Sequence, residues 1–477
     1  MPQAAPFSWA RPDYPPFMGA AIAAGHPATA DAGAEILEEG GNAADAVVSA
    51  TLASCVAETV MTGLLGGGHG IYFDATSGRS RNLDCFVAVP GLGAERREVA
   101  LLELDIPFGT ELVHYAVGIG SCGVPGVPSG LDALWTEYGT LPWPRLVEPA
   151  LRLARDAVPM PAAHASCLRM LEPVMTMNEG AEIYSPGGTL LGEGDPLRQP
   201  GLVPALESLA EDGPRGVYEG TIGRALLELM KEQGGLVTAN DLTGYEARWS
   251  DPVELDFRGC GLRTRAGLSD LPAAVERLPE VSGLEQPERT LAFVGALLDD
   301  VPAQHGTTNV SAIDDDGNAC VLTTSLGLGS GDFVPGYDLH LNSMLGEADL
   351  LTEGLKPGDR MGSMMAPTLA LDGDGVVLAA GAAGGTRLRS ALLQVLAGIL
   401  DEGLEPQAAV ERPRVHPAGV LVHLEAGFGP ATVAALESAG FDVRSWDSRH
   451  HYFGGVSVVT RTGAAGDPRR SGAARIV

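Results

Sequence analysis

Thr307, directly after Gly306, has the residue type and the neighbour that a self-activating nucleophile requires. A threonine hydroxyl is a weak nucleophile until a base accepts its proton, and one known solution uses the residue's own α-amine as that base. An α-amine has an ordinary pKa of roughly 7.7–8.0, so part of it is uncharged near neutral pH. The amine is exposed only when the Gly306–Thr307 peptide bond is broken, by attack of the hydroxyl on the Gly306 carbonyl and hydrolysis of the ester. The pattern therefore predicts a nucleophile that the chain uncovers by cutting itself.

The stretch after Thr307 predicts a β-hairpin that would hold this residue. Residues 308–313 and 319–325 are strand-like, and they flank a turn-rich run with an Asp-Gly pair at 316 and 317. If that pair forms a two-residue turn, Thr308 lies across from Ser325, and Thr307 lies at the open end of the hairpin beside a hydroxyl residue. The alternative is an ordinary hairpin with two strand threonines, because β-branched residues favour strands.

Composition bounds the class of protein. The chain has 477 residues, 31 Lys and Arg against 61 Asp and Glu, and a net charge of −30. This excess of acid argues against nucleic-acid partners and against an anionic membrane surface. The first residues lack a basic stretch followed by an apolar one, and no apolar run reaches the roughly 18 residues of a membrane span. The expectation is a cytoplasmic protein.

Cysteine and histidine spacing gives no metal motif. The six cysteines show no CxxC pair, and the ten histidines show no HExxH pattern. The cysteines are interpreted as small buried hydrophobic residues in a reducing compartment. We therefore expect no metal, and the self-activating nucleophile described above would need no external cofactor.

The remaining pattern predicts alternating helices and strands. Residues 30–56 indicate two helices separated at 39–42, and the second is apolar on nearly all sides, which indicates burial. The glycine run GLLGGGHG at 63–70 precedes a strand, the reverse of the order in a dinucleotide-binding loop, so it is interpreted as a tight turn. A second hairpin is predicted from 368–371 and 376–380.

These segments, in this order, resemble the γ-glutamyltranspeptidases, a family of N-terminal nucleophile hydrolases. The resemblance rests on the hairpin region and on these further segments: EEGGNAADAVVSATLASCVAE at 38–58, NLDCFVAVP at 82–90, YGTLPW at 138–143, TAND at 238–241, LNSMLGE at 341–347, SMMAPT at 363–368 and GAAGGTR at 381–387. It implies a four-layer αββα sandwich, a mixed α/β (α+β) fold. Residues 1–306 would be a large chain and residues 307–477 a small chain, and the two together would form one domain.

The resemblance also implies roles for individual residues. Gly384 and Gly385 lie just before a predicted helix, where N–H groups converge, and would stabilise an oxyanion. Ser325 would orient Thr307 and assist self-cleavage. Glu347 would bind a substrate ammonium, and Ser363 would bind a substrate carboxylate. A surface glutamate and a strand-end serine are the alternatives at the last two positions.

Three positions depart from the family pattern. Phe86 stands where the family carries an arginine that grips the substrate α-carboxylate. Gly327 replaces an asparagine, and Met364 replaces the second of two carboxylate-binding serines. The segment 260–300 also has fewer residues than the matching segment of most family members, which predicts a more open or differently covered pocket. These departures predict poor turnover of glutathione-like substrates.

The functional hypothesis is therefore a self-processing γ-glutamyltranspeptidase-like hydrolase or acyltransferase of small molecules. One alternative is a specialised biosynthetic enzyme of the same family, acting on a non-glutamyl amide or on a C–C bond beside a carbonyl. Another is an uncleaved binding homologue without activity. The expected partners are a small-molecule substrate and the two cleaved chains themselves, and the oligomeric state stays open, with a homo-oligomer among the options.

Overall fold

The structure is a computed structural model that describes residues 19–95, 99, 101–108, 111–298 and 307–477. The helices are α1 Pro27–Glu38, α2 Ala43–Ala57, α3 Val127–Tyr138, α4 Trp143–Asp156, α5 Ala162–Met175, α6 Gly180–Tyr184, α7 Leu202–Asp212, α8 Gly216–Glu219, α9 Thr221–Gln233, α10 Ala239–Gly244, α11 Leu271–Arg277, α12 Glu288–Leu297, α13 Arg387–Leu400, α14 Pro406–Glu411 and α15 Pro430–Ser438.

The strands are β1 Ala21–Ala24, β2 Gly67–Asp74, β3 Arg79–Cys85, β4 Leu102–Phe108, β5 Glu111–Val117, β6 Val158–Pro159, β7 Pro196–Leu197, β8 Arg248–Ser250, β9 Val253–Phe257, β10 Cys260–Thr264, β11 Thr308–Ile313, β12 Ala319–Ser325, β13 Phe333–Val334, β14 Leu339–His340, β15 Thr368–Asp372, β16 Gly375–Ala383, β17 Val415–Ala418, β18 Leu421–Leu424, β19 Asp442–Ser445, β20 Gly455–Thr460, β21 Gly463–Gly466 and β22 Ala473–Ile476.

Two antiparallel sheets form the centre of the molecule. The first has the strand order β22-β1-β11-β12-β2-β3-β8, and the second has the order β21-β20-β16-β15-β10-β9. Each sheet combines strands from before and after residue 307 of the chain. Neither part of the chain therefore builds a complete sheet alone.

The two sheets pack face to face through alternate side chains. Along β1, Ala21 and Ala23 join a cluster with residues of β15, β16 and β20, whereas Ile22 and Ala24 join a cluster with α1, α2 and α4. This alternation follows from the two-residue period of a strand. Helices α11, α12 and α13 pack against the second sheet in a separate cluster. The mixed helix-and-sheet class predicted from sequence is confirmed, and helices lie outside both sheets.

The predicted register of the β11–β12 hairpin is wrong by one residue. Thr308 pairs with Thr324 rather than with Ser325, because the connection is a five-residue loop at 314–318. Asp314 stabilises the longer loop: its carboxylate accepts hydrogen bonds from the N–H groups of Asp316 and Asn318 at 3.1 and 2.9 Å. It also accepts from the first N–H of α2 at 2.9 Å. This contact between Ala43 and Asp314, which are 271 positions apart in sequence, thus outweighs the local preference for a two-residue turn.

The first two helices form as predicted, because their ends are capped. Asn42 and Asp45 make a reciprocal capping box at the start of α2. Every residue of α2 is buried, and most are small, so the helix fits closely between α1, α4 and the first sheet. Within the described ranges, no helix is both long and apolar enough to cross a bilayer.

The glycine run at 63–70 is not only a turn, since its second half belongs to strand β2. A Cβ on Gly67 would lie 2.6 Å from the Val87 backbone nitrogen, and one on Gly68 would lie 2.5 Å from the Thr323 carbonyl oxygen. These glycines let neighbouring backbone approach the strand closely, which is a known use of glycine within a sheet.

Candidate functional site

The hairpin places Thr307 at the start of β11, an interior strand of the first sheet. Thr307 directly precedes β11 and is 5% exposed, and Ser325 ends β12 one position beyond the Thr308–Thr324 pair. Ser325 also pairs with Gly67 of β2, and its Oγ accepts a hydrogen bond from the Gly327 N–H at 2.9 Å. The two hydroxyl residues therefore share the open end of the hairpin.

A narrow pocket of about 30 Å³ opens beside Thr307. It is lined by Phe86, Thr307, Ser325, Met344, Glu347, Leu350, Ser363, Met364, Met365, Gly385 and Leu388. Seven of these residues were singled out from sequence, although they are spread over 300 positions of the chain. Gly384 and Gly327 adjoin the lining, and Gly306 lies outside the described residues.

Gly384 and Gly385 form the turn from β16 into α13. Their φ angles are +129° and +60°, in the region that favours glycine. Their carbonyl oxygens accept the N–H groups of Arg387 and Leu388 at 3.2 and 3.1 Å, which starts the helix. A Cβ on Gly384 would lie 2.9 Å from the Gly454 Cα, so a larger residue would push the turn out of place.

Glu347 occupies the space that a side chain at position 327 would need. Gly327 has φ +71°, and a Cβ there would lie 2.4 Å from Glu347 Oε1 and 2.7 Å from Ser343 Oγ. Glu347 is 3% exposed. An asparagine at 327 would therefore displace this carboxylate, so the position of Glu347 depends on a glycine at 327.

The wall opposite the glycine turn is apolar. Phe86, Met344, Leu350 and Met365 belong to one buried cluster. The Phe86 ring stacks on the buried imidazole of His69, with centroids 5.4 Å apart and planes inclined by 14°. Burial, and then the charges of two nearby arginines, hold the pKa of His69 well below its usual value, so this ring is neutral.

Ser363 is held in the wall mainly through its backbone. Its carbonyl oxygen accepts hydrogen bonds from Arg265 Nη1 at 3.1 Å and from the Leu268 N–H at 2.9 Å. Its Oγ accepts the Met365 N–H at 3.2 Å. Arg265 is largely buried, and burial lowers the pKa of its guanidinium to about 10. The shortened segment after residue 260 thus supports this wall of the pocket.

Sequence reasoning missed two charged residues close to Thr307. Arg470 Nη1 donates a hydrogen bond to the Thr307 carbonyl oxygen at 3.3 Å. Glu58 accepts a hydrogen bond from the hydroxyl of the next residue, Thr308, at 2.5 Å. Burial raises the pKa of Glu58 to about 7, although the two hydroxyl groups that it accepts and Arg470 act to lower it. A lone acid at the end of an apolar helix was the signal available for Glu58.

No metal site accompanies this pocket in the described part of the chain, which contains no group of three or more His, Cys, Asp or Glu side chains placed to hold an ion. The six cysteines are all buried free thiols. The described lining of the pocket offers the hydroxyl groups of Thr307, Ser325 and Ser363 and the carboxylate of Glu347.

Comparisons with known proteins agree on one family. The sequence profile described as Gamma-glutamyltranspeptidase matches residues 29–284 and 281–477. The chain is 27% identical over 492 residues to Acylase ACY 1 proenzyme of Pseudomonas sp. (strain SE83), covering 88% of this chain and 87% of that one. It is 25% identical over 540 residues to Glutathione hydrolase proenzyme of Bacillus subtilis (strain 168), covering 93% and 90%.

The fold has a close match among solved structures. The crystal structure of cephalosporin acylase from Bacillus halodurans superposes with a TM-score of 0.80 at 22% identity, covering 100% of this chain and 98% of that one. At this identity the match bears on the fold alone.

Proposed function

The chain belongs to the γ-glutamyltranspeptidase family, and from that premise we propose that it is a self-processing amide hydrolase or acyltransferase with Thr307 as its nucleophile. One observation carries the proposal: Thr307, Ser325, Gly385 and Glu347 line a single pocket, although the sequence separates them. The named relatives, an acylase and a glutathione hydrolase, are both described as proenzymes.

Self-cleavage at the Gly306–Thr307 bond is the first step of the proposed function. The Thr307 hydroxyl attacks the Gly306 carbonyl, the acyl group moves from nitrogen to oxygen, and water hydrolyses the ester. Residues 1–306 and 307–477 become two chains. Because each contributes strands to both sheets, the two chains remain associated after cleavage.

The new terminus then supports acyl transfer. Thr307 Oγ attacks the substrate carbonyl while its α-amine accepts the hydroxyl proton, and the Gly384 and Gly385 N–H groups stabilise the oxyanion. The C–N bond breaks as the proton passes to the leaving amine. Water or an acceptor amine then attacks the Thr307 ester, with the α-amine again as base, and the acid or new amide leaves.

The lining of the pocket favours an acyl group with an ammonium and without an α-carboxylate. Glu347 is the only residue with a charged side chain among the described residues of the lining. Phe86 and Met364 bring apolar groups to the wall. A carboxylate bound against this wall would lose hydration without gaining a cationic partner, which is costly. Methionine side chains adapt their shape, so Met344, Met364 and Met365 can shift to admit the acyl chain.

Chain processing is the direct test of the nucleophile. We expect the purified protein to separate into two chains in denaturing electrophoresis, with the mass of the smaller one beginning at Thr307. Thr307→Ala removes the hydroxyl and should leave one uncleaved chain, while Thr307→Ser keeps a hydroxyl and should restore cleavage. An uncleaved wild-type chain would instead support a binding homologue.

Three matched p-nitroanilides test the acyl group. The γ-glutamyl compound carries both an ammonium and an α-carboxylate, the 4-aminobutyryl compound lacks the carboxylate, and the glutaryl compound lacks the ammonium. We expect the 4-aminobutyryl compound to have the highest kcat/KM, with Thr307→Ala as the control for spontaneous cyclisation. Fastest release from the γ-glutamyl compound would refute the proposed preference.

A further inference from the structure

Glu58 is a buried carboxyl group that the proposed reaction does not use. It follows α2 directly and is 1% exposed. Its two oxygens accept hydrogen bonds from Thr308 Oγ at 2.5 Å and from Thr29 Oγ at 2.7 Å. A Cβ on Gly25 would lie 2.5 Å from Glu58 Oε2, so the backbone after β1 packs directly on the carboxylate. Burying an acid in this way is costly unless its partners are fixed.

The strand geometry connects Glu58 to the nucleophile. Side chains alternate along β11: the Thr308 side chain faces α2, and the next residue, Asn309, faces the second sheet. Glu58 thus acts on the residue adjacent to Thr307 from the helix side of the sheet. Both Glu58 and Thr307 line one small cavity of about 10 Å³, and Thr307 also lines the substrate pocket.

Arg470 lines the same cavity and also contacts Thr307. Its Nη1 donates to the Thr307 carbonyl oxygen at 3.3 Å, and its Nη2 lies 3.5 Å from where a Cβ on Gly384 would stand. The peptide that joins Thr307 to Thr308 is therefore held at its carbonyl oxygen by Arg470 and at the following side chain by Glu58.

We propose that Glu58 is a positioning residue for the reaction at Thr307. Through the Thr308 hydroxyl, Glu58 fixes the first peptide of β11 and keeps the Thr307 hydroxyl and amine aligned with the Gly385 turn. The inference rests on the proposed function. A strand end tends to fray, and the hydrogen bond from the Thr308 hydroxyl to the buried Glu58 carboxyl group opposes this fraying. Misplacement of a reacting group by about 1 Å can cost about 100-fold in rate.

Two threonines offer a matched pair of substitutions. Thr308→Val and Thr29→Val each remove one hydroxyl donor from the same carboxylate and keep the shape of the side chain. Of the two positions, 308 is the one next to Thr307 in the chain. The full-length protein is synthesised in a cell-free system, and the half-time of its conversion into two chains is followed by electrophoresis, with thermal unfolding measured in parallel.

We expect Thr308→Val to slow conversion at least tenfold, Thr29→Val to slow it less than threefold, and Thr308→Ser to restore nearly the wild-type rate. Equal slowing by both valine variants would overturn the inference, because it would make Glu58 a stability element alone. Unchanged conversion in Thr308→Val would overturn it as well.

A second variant covers the case in which Thr308→Val does not fold. Glu58→Gln keeps the size of the side chain and removes the charge, and we expect it to slow conversion three- to tenfold. A wild-type rate in Glu58→Gln would contradict the positioning role. If the wild-type chain is never cleaved before Thr307, the proposed function fails. If the wild-type chain is cleaved and the variants are cleaved at the same rate, the positioning role of Glu58 fails and the proposed function stands.

Discussion

The two sides of the substrate pocket differ in how their residues are fixed. On the nucleophile side, Thr307, Ser325 and Gly385 lie at strand ends and in a strand-to-helix turn, so backbone geometry places them. In the apolar wall, Phe86 and Met364 bring large apolar residues to the same lining. Under the proposed function, the residues placed by backbone geometry carry the reaction and the apolar side chains select the substrate, so a change in the second group need not alter the first.

The largest effect should come from the glycine turn, where the backbone sets the geometry. Gly384→Ala puts a Cβ 2.9 Å from the Gly454 Cα, which shifts the turn and the N–H groups that we assign to the oxyanion. Loss of one such donor typically costs about 3–4 kcal/mol, roughly 100- to 1,000-fold in kcat. The measurement is kcat for the best of the three anilides.

Gly403→Ala is the matched control for that substitution. Gly403 has φ +68°, so alanine there is strained as well, but its Cβ would meet no atom within 4 Å. It follows α13 at the end remote from the pocket. If kcat is nearly normal in Gly403→Ala and falls strongly in Gly384→Ala, the loss is due to the displaced turn at the pocket and not to backbone strain in general. Similar losses would show that stability alone explains the effect.

The same difference explains what sequence could and could not predict. The hairpin, the glycine turn and the apolar helix α2 are local patterns, and the structure contains all three. The register error arose because the carboxylate of Asp314 binds the start of α2, a contact that local turn rules do not include. Glu58 and Arg470 were missed for a similar reason, since their relation to Thr307 exists only after distant segments pack together.

Glu58, close to the nucleophile, should also make the stability of the protein depend on pH. Burial raises the pKa of Glu58 from an ordinary value of 4.5 to about 7. A raised acid pKa means that the folded state binds the proton more tightly, so the stabilisation is complete below about pH 4.5 and is lost as the pH rises through 7. A difference of this size corresponds to at most about 3 kcal/mol.

Glu58→Gln should remove this dependence. With both proteins on the uncleaved Thr307→Ala background, we expect the unfolding free energy of Glu58→Gln to increase relative to that of the parent between pH 5 and pH 8. Burial lowers the pKa values of the neighbouring His26 and His164 to about 4 and about 3, so these histidines raise the unfolding free energy as the pH rises from 5 to about 6.5. Both proteins contain them, so their contribution cancels in the difference between the two curves. Glu228→Gln, at an exposed position of α9, is the control and should follow the parent. Parallel curves for Glu58→Gln and its parent would contradict the assignment.

The smallest expected effect tests the wall itself. Phe86→Arg supplies a cation where the apolar ring now lies, and a hydrogen bond to a charged group contributes about 1.5–3 kcal/mol. Phe86 stacks on His69, and two arginines already lie close enough to lower the pKa of His69. These arginines should repel the guanidinium of Phe86→Arg and so reduce the gain in substrate binding. We therefore expect kcat/KM for the γ-glutamyl anilide, relative to the 4-aminobutyryl anilide, to rise about tenfold, near the lower limit of that range.

Phe86→Met keeps the wall apolar and should leave the ratio unchanged. If Phe86→Arg is processed normally and the ratio does not move, the wall does not select the acyl group, and selection must come from the Glu347 side of the pocket.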